Sequence, residues 1–274
     1  MEYIQAFLSD NFWWLHISAA LLGLIRIVTF IGVCPLFGPS VSAAVKGSIA
    51  IALYIPLHPL MLEQAAAIHL VSVGDFISLL IIVVKEVFIG IFLGWLTSLV
   101  FYAVLSAGTI VDNQRGASMA QTSDMLSGAE TSPLGSILFM SLITLFFVSG
   151  SFTHFMELFY SSYVSWPVRE IIPDFSDRRL ALFSISNLTW MMKETVLVAS
   201  PFILISLTCD ISLGLINRFA QQLNVFILSM PIKSGVCSFL IIFYYPEFLE
   251  NGEISFGVML NTLESLFTVF GKPL

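Results

Sequence analysis

The sequence predicts an all-α, polytopic membrane-type protein with long and broken helices. Three observations carry this expectation. Of the 274 residues, 57% are hydrophobic and only 11% charged, against roughly a quarter charged in soluble domains. The mean hydropathy is +0.94. The apolar residues fall in stretches long enough to cross a bilayer, which takes about 20 of them.

The segments are taken in order. Phe12 to Cys34 has spanning length and opens on an aromatic cluster, Phe12, Trp13 and Trp14, that suits a membrane interface. Pro35, Gly38 and Pro39 end it. Gly47 to Leu62 is short and holds Pro56 and Pro59, so it reads as a broken helix or a re-entrant piece. Val73 to Leu105 is too long for one simple crossing, and Lys85 and Glu86 interrupt it. It is either one long tilted helix or two with a tight break. Gly135 to Leu158, Thr195 to Ile216, Val225 to Tyr245 and Ser255 to Phe270 follow, the last as a separate terminal helix. Five or six substantial hydrophobic helices are expected. Residues 1–274 read as a single membrane domain, with a polar segment at 106–133 and a polar excursion at 160–194. Met1 to Asn11 holds Glu2 and Asp10 but no Lys or Arg, so no signal peptide is expected and the first helix is retained. Basic residues are too sparse in the loops to orient the helices.

The few charges fall inside the greasy segments. Arg26, Lys85, Glu86, Asp210 and Lys233 all interrupt them. Facing lipid, five such charges would cost on the order of 10 kcal/mol. They must therefore face protein, water or each other, either as structural pairs or along an aqueous path. Three cations against two carboxylates hint at a partner outside the chain. Small residues point to close helix packing: Gly90 with Gly94, Ala19 with Gly23, and Ser48 with Ala52.

Several function classes are set aside. The net charge of −7 gives no basic footprint for nucleic acid. Cys34, Cys209 and Cys237 lie far apart and suit packing rather than metal binding. No phosphate-cradling GxxxxGK[ST] loop and no HExxH is present. His16, His58, His69 and His154 are scattered and read as packing or surface residues. No catalytic residue, cofactor or metal site is expected.

The polar segment is the most informative stretch. Gly108 to Met119 sets Asp112, Asn113, Gln114, Arg115 and Ser118 between two hydrophobic segments. It reads as a turn region in which Gly108 and Gly116 supply unusual backbone. Asp112 and Arg115 would pair at i,i+3 if helical. Asp112-Asn-Gln-Arg-Gly-Ala-Ser-Met119, with Ser127-Gly128 and Ser132-Pro-Leu-Gly135, resembles the SctT/FliR family of type III secretion export-apparatus proteins. Asp210-Ile-Ser-Leu-Gly214-Leu-Ile-Asn217-Arg218, continuing through Gln222 and Asn224 to Phe226, is similar to a second family block, and Lys233 follows after Pro231. Lys85-Glu86 with Gly90 and Gly94, and Arg26 with Pro35 and Phe37, fit two further family patterns. Two departures stand out: Gln221 where many members carry Pro, and Asp124-Met125 where the family has Asp-Pro. The Gln variant looks more like virulence injectisome members than flagellar ones.

The resemblance implies a non-enzymatic subunit of the export gate, in the bacterial inner membrane within the secretion basal body. SctR/FliP-like and SctS/FliQ-like proteins would complete a helical portal for unfolded secreted proteins. An SctU/FlhB-like switch protein, an SctV/FlhA-like gate and an inner rod would be further partners. Asp112, Gln114, Arg115, Gly116 and Ser118 would shape the polar segment near the pore. Asp210, Arg218, Gln222, Asn224 and Lys233 would hold the C-terminal hairpin. Lys85 and Glu86 would pair within or between subunits. A self-contained small-solute or ion transporter is the competing expectation, since it too uses intramembrane charges and broken helices.

Overall fold

A computed structural model describes residues 10–38, 41–66, 73–116, 132–168, 178–219, 222 and 224–270. Every regular element among them is helical: α1 (Asp10–Val33), α2 (Ala43–Tyr54), α3 (His58–Ala66), α4 (Val73–Gln114), α5 (Pro133–Val148), α6 (Ser151–Ser165), α7 (Arg178–Phe219) and α8 (Val225–Phe270), with 3-10 turns at Pro35–Phe37 and Ile55–Leu57. Five helical stretches are long and apolar enough to cross a membrane. The α5–α6 pair, bent by 75°, makes up to six.

The helices differ from the expected segments where prolines and polar residues made the pattern ambiguous. Val73 to Leu105 is one helix, and it continues to Gln114. The first residues of the polar segment are therefore helical rather than a turn. The two C-terminal segments are also one helix, α8, with Pro231 and Pro246 inside it. Each proline removes one backbone donor, which a long, otherwise hydrogen-bonded helix tolerates. In α7, Pro201 leaves the Leu197 carbonyl without its helical donor, and the Ser200 hydroxyl donates to that oxygen at 2.8 Å. Around Pro56 the chain tightens into a 3-10 turn, yet Ala43–Ala66 still counts as one 24-residue span. In the polar excursion, residues 160–165 close α6 and 178–194 open α7, while residues 166–168 are described but not helical.

The chain divides into two compact units. The first comprises Met1–Ser98, Thr153–Ala181 and Met259–Leu274, and the second Leu99–Phe152 and Leu182–Val258. In the first, Phe30 packs against Phe155 and Phe159 at centroid distances of 5.5 and 4.9 Å. Trp166 meets Phe267 edge-on at 5.2 Å. In the second, Phe146 is fully buried between Phe101 and Phe256, at 5.6 and 4.9 Å. Such ring pairs add roughly 0.5–1.5 kcal/mol beyond their buried area.

Small residues set the helix spacing. A Cβ on Gly90 would collide with the Thr29 hydroxyl and lie 2.5 Å from the Arg26 carbonyl. One on Gly94 would sit 3.0 Å from Val33. The Gly90/Gly94 stripe thus seats α4 directly on α1, as in other small-residue helix contacts. Gly23 is likewise pressed by Tyr54 and Met61. The Ser48/Ala52 pair behaves otherwise: both residues are exposed.

Candidate functional site

Two polar constellations stand out, one in each unit. The first surrounds Arg26. The Arg26 side chain is fully buried, as is that of Glu86. Arg26 Nε donates to Glu86 Oε2 at 2.7 Å, and one Nη donates to Oε1 at 3.0 Å. This is the bidentate fork that only a guanidinium offers a carboxylate. Arg26 also donates to Ser162 Oγ and to the Trp166 carbonyl, each at 2.9 Å. Its guanidinium carbon lies 4.1 Å from the Tyr163 ring centroid, within cation–π range. The Tyr163 hydroxyl donates to the Gly23 carbonyl at 2.8 Å.

Lys85 completes the group. Its ammonium lies 3.1 Å from Glu86 Oε1 and donates to the Pro167 and Val168 carbonyls at 2.9 and 3.1 Å. The cation left over in the sequence count is therefore satisfied inside this chain by peptide oxygens. The hint of an outside partner for it is corrected. Gln64 fixes the same turn: its carbonyl accepts from Val168 N–H at 2.7 Å and its amide donates to the Tyr163 carbonyl at 3.3 Å. The end of α6 is thus tied to α1, α3 and α4. The signal for Arg26, Lys85 and Glu86 was legible in sequence. Tyr163, Ser162 and Gln64 gave none, because their role comes from distant segments meeting.

The second constellation lies at the end of α4. Asp112 Oδ1 accepts from Arg115 Nε at 2.7 Å and from its Nη2 at 2.5 Å. This is the expected i,i+3 pair. Oδ2 accepts from Ser132 Oγ at 2.5 Å and from Leu134 N–H at 3.0 Å. Ser132 is the N-cap of α5 and accepts from Gly135 N–H at 3.0 Å, with Pro133 in the first helical turn as such starts favour. A carboxylate held at a helix N-terminus is stabilised by the peptide dipoles there. Asp112 therefore clamps the end of α4 onto the start of α5. Gly116 has φ +78°, the left-handed conformation that closes helices. Gly108 has no positive φ. Its Cβ would strike Gly135, so it serves close backbone approach instead.

The C-terminal block divides. Lys233 Nζ lies 2.6 Å from Asp210 Oδ1 and 3.4 Å from the Gln114 carbonyl. This joins α7, α8 and the end of α4, and Met230 packs on Gly116. Asn224 caps α8, accepting from Ile227 N–H at 3.4 Å. Arg218 and Gln222 are exposed. So is Gln114, whose backbone rather than side chain meets Lys233. Ser118, Asp124, Met125, Ser127, Gly128, Gln221 and His69 lie outside the described residues. Two of the scattered histidines pack together: His16 Nδ1 lies 2.9 Å from His58 Nε2, and the Tyr54 hydroxyl 2.7 Å from His58 Nδ1. Among the described residues no three metal-ligating side chains converge.

Residues 17–258 match the family described as bacterial export proteins, family 1. The chain belongs to that family. It is 33% identical over 198 residues to Yop proteins translocation protein T of Yersinia pestis, covering 72% of this chain and 76% of the relative. It is 26% identical to the surface presentation of antigens protein SpaR of Salmonella typhimurium, over 92% of each chain. Flagellar biosynthetic protein FliR of Bacillus subtilis is 27% identical, over 68% of this chain and 72% of the relative. The family is that of the type III secretion export apparatus, and membership implies association with other components of the apparatus.

Proposed function

We propose that this export protein is a non-enzymatic structural subunit of the type III secretion export gate. With SctR/FliP-like and SctS/FliQ-like companions it forms the inner-membrane portal for unfolded secreted proteins. The SctU/FlhB-like switch, the SctV/FlhA-like gate and the inner rod would adjoin that portal.

One observation carries this reading: three helices run well past the thickness of a bilayer, and each leaves most of its apolar window uncovered within the chain. Ile77–Gln114, Arg178–Phe219 and Ile227–Phe267 hold 38, 42 and 41 residues. At 1.5 Å per residue they run about 57–63 Å, against roughly 30 Å of hydrocarbon. Only 11% of the apolar window in Ile227–Phe267 is buried within the chain. Neighbouring protein is the cover that fits such lengths.

The transporter alternative needs charges lining water. Arg26 and Glu86 are instead sealed from solvent and from lipid alike, at 0% exposure. By contrast the Asp112–Arg115 clamp is partly open, with 14% of the Arg115 side chain accessible. We assign it to the portal's polar segment.

The test is co-expression of the tagged chain with and without its two companions, followed by native electrophoresis in detergent. The proposal expects one large complex with the companions and a poorly accumulating chain without them. A stable monomer that moves a solute in liposomes unaided would overturn it.

A further inference from the structure

In the second unit, a groove of about 430 Å³ opens between α7 and α8. Trp190, Glu194, Tyr244, Glu247, Asn251 and Ser255 supply its polar and aromatic lining, and no lysine or arginine lines it among the described residues. Ser255 Oγ donates to Glu194 Oε1 at 3.3 Å, and Asn251 Nδ2 donates to Glu247 Oε1 at 3.2 Å. A carboxylate has about four acceptor positions, so both retain capacity toward the groove. The rim is greasy: Leu197 is 51% and Ile254 60% exposed.

This differs from the other charge clusters of the chain. Glu86 has two cations, Asp112 has Arg115, and Asp210 has Lys233. Here two carboxylates share an apolar-rimmed groove with no cation of their own. Glu194 is half-buried and Glu247 exposed; a helix seated on the apolar rim would desolvate both at a cost that a basic side chain of its own would offset. The aromatic pair selects which one. A planar guanidinium can stack on Trp190 or Tyr244 while forking to a carboxylate, which an ammonium cannot do.

We infer that this groove receives an arginine carried on an apolar helix of a companion export-apparatus subunit. The inference rests on the portal reading above, which supplies the companion.

The test places a photoreactive benzoylphenylalanine at Leu197 in the full chain, assembled in cells with the rest of the apparatus. Native electrophoresis first shows whether the complex forms. Irradiation should then join Leu197 to a companion-subunit peptide that contains an arginine. Glu194→Gln with Glu247→Gln should cut that yield at least about tenfold, while complex formation by an unirradiated wild-type control stays intact. Reversing charges on both sides, Glu247→Arg with the mapped arginine changed to Glu, should restore it. Adducts to lipid only, to a second copy of this chain, or to a peptide without a basic residue would overturn the inference and leave the portal reading standing. So would an unchanged yield in the double Gln variant. Failure of the wild-type chain to form any complex would overturn both.

Discussion

Glu86→Gln is the sharpest perturbation the structure offers. The Glu86 carboxylate contacts both Arg26 and Lys85, and the three side chains are 0–6% exposed. Gln keeps the shape and one acceptor oxygen. It removes the negative charge and turns an amide N–H₂ toward two cations. Removing one partner of a buried pair costs about 3–5 kcal/mol, because the other charge stays buried without compensation. For a chain of this size each kcal/mol moves Tm by about 2–4 °C. Glu86→Gln should therefore lower the melting temperature of the detergent-purified protein by about 6–20 °C in scanning fluorimetry. Glu264→Gln, exposed on α8, serves as the control and should shift by less than about 2 °C. Arg26→Met combined with Glu86→Leu should lose less than the sum of the single changes, since a buried pair can be replaced by apolar groups at little cost. A Glu86→Gln protein melting within 2 °C of wild type would show that the charges are not held against each other, and the reasoning fails.

Other perturbations probe the remaining features. Gly90→Leu should separate α4 from α1 and destabilise the chain by at least about 1–3 kcal/mol, read as a lower Tm, whereas Gly47→Leu, where a Cβ meets open space, should not. Arg115→Ala should reduce export of a reporter substrate while the chain still accumulates; unchanged flux would make the segment after α4 a plain connector. Lys233→Met should lower the yield of assembled complex, and the exchange Lys233→Asp with Asp210→Lys should recover part of it if the 2.6 Å pair holds α8 in place. Cys34 and Cys237 are buried and Cys209 half-exposed, so maleimide at pH 8 should label Cys209 before the other two, as mass spectrometry would show.

Much of this protein was legible in its residues. Apolar runs interrupted by single charges required those charges to face protein, water or each other, because a lipid-facing charge is too costly. Arg26, Lys85 and Glu86 are buried in protein, whereas the Asp210 side chain is 48% exposed beside Lys233. The Asp112–Arg115 pair follows from i,i+3 spacing if the segment is helical, as it is through Gln114. These are local rules, and local rules can be read along a chain. Tertiary structure decided the rest. Nothing in the spacing revealed that Tyr163 and Gln64 brace Arg26 and its turn, that His16 meets His58, or that Gly108 exists for Gly135. Those contacts join residues far apart in sequence, and a one-dimensional pattern carries no term for which distant segments touch. Nor could composition show that α8 runs unbroken past two prolines. Whether a long helix absorbs a missing hydrogen bond depends on the packing that surrounds it.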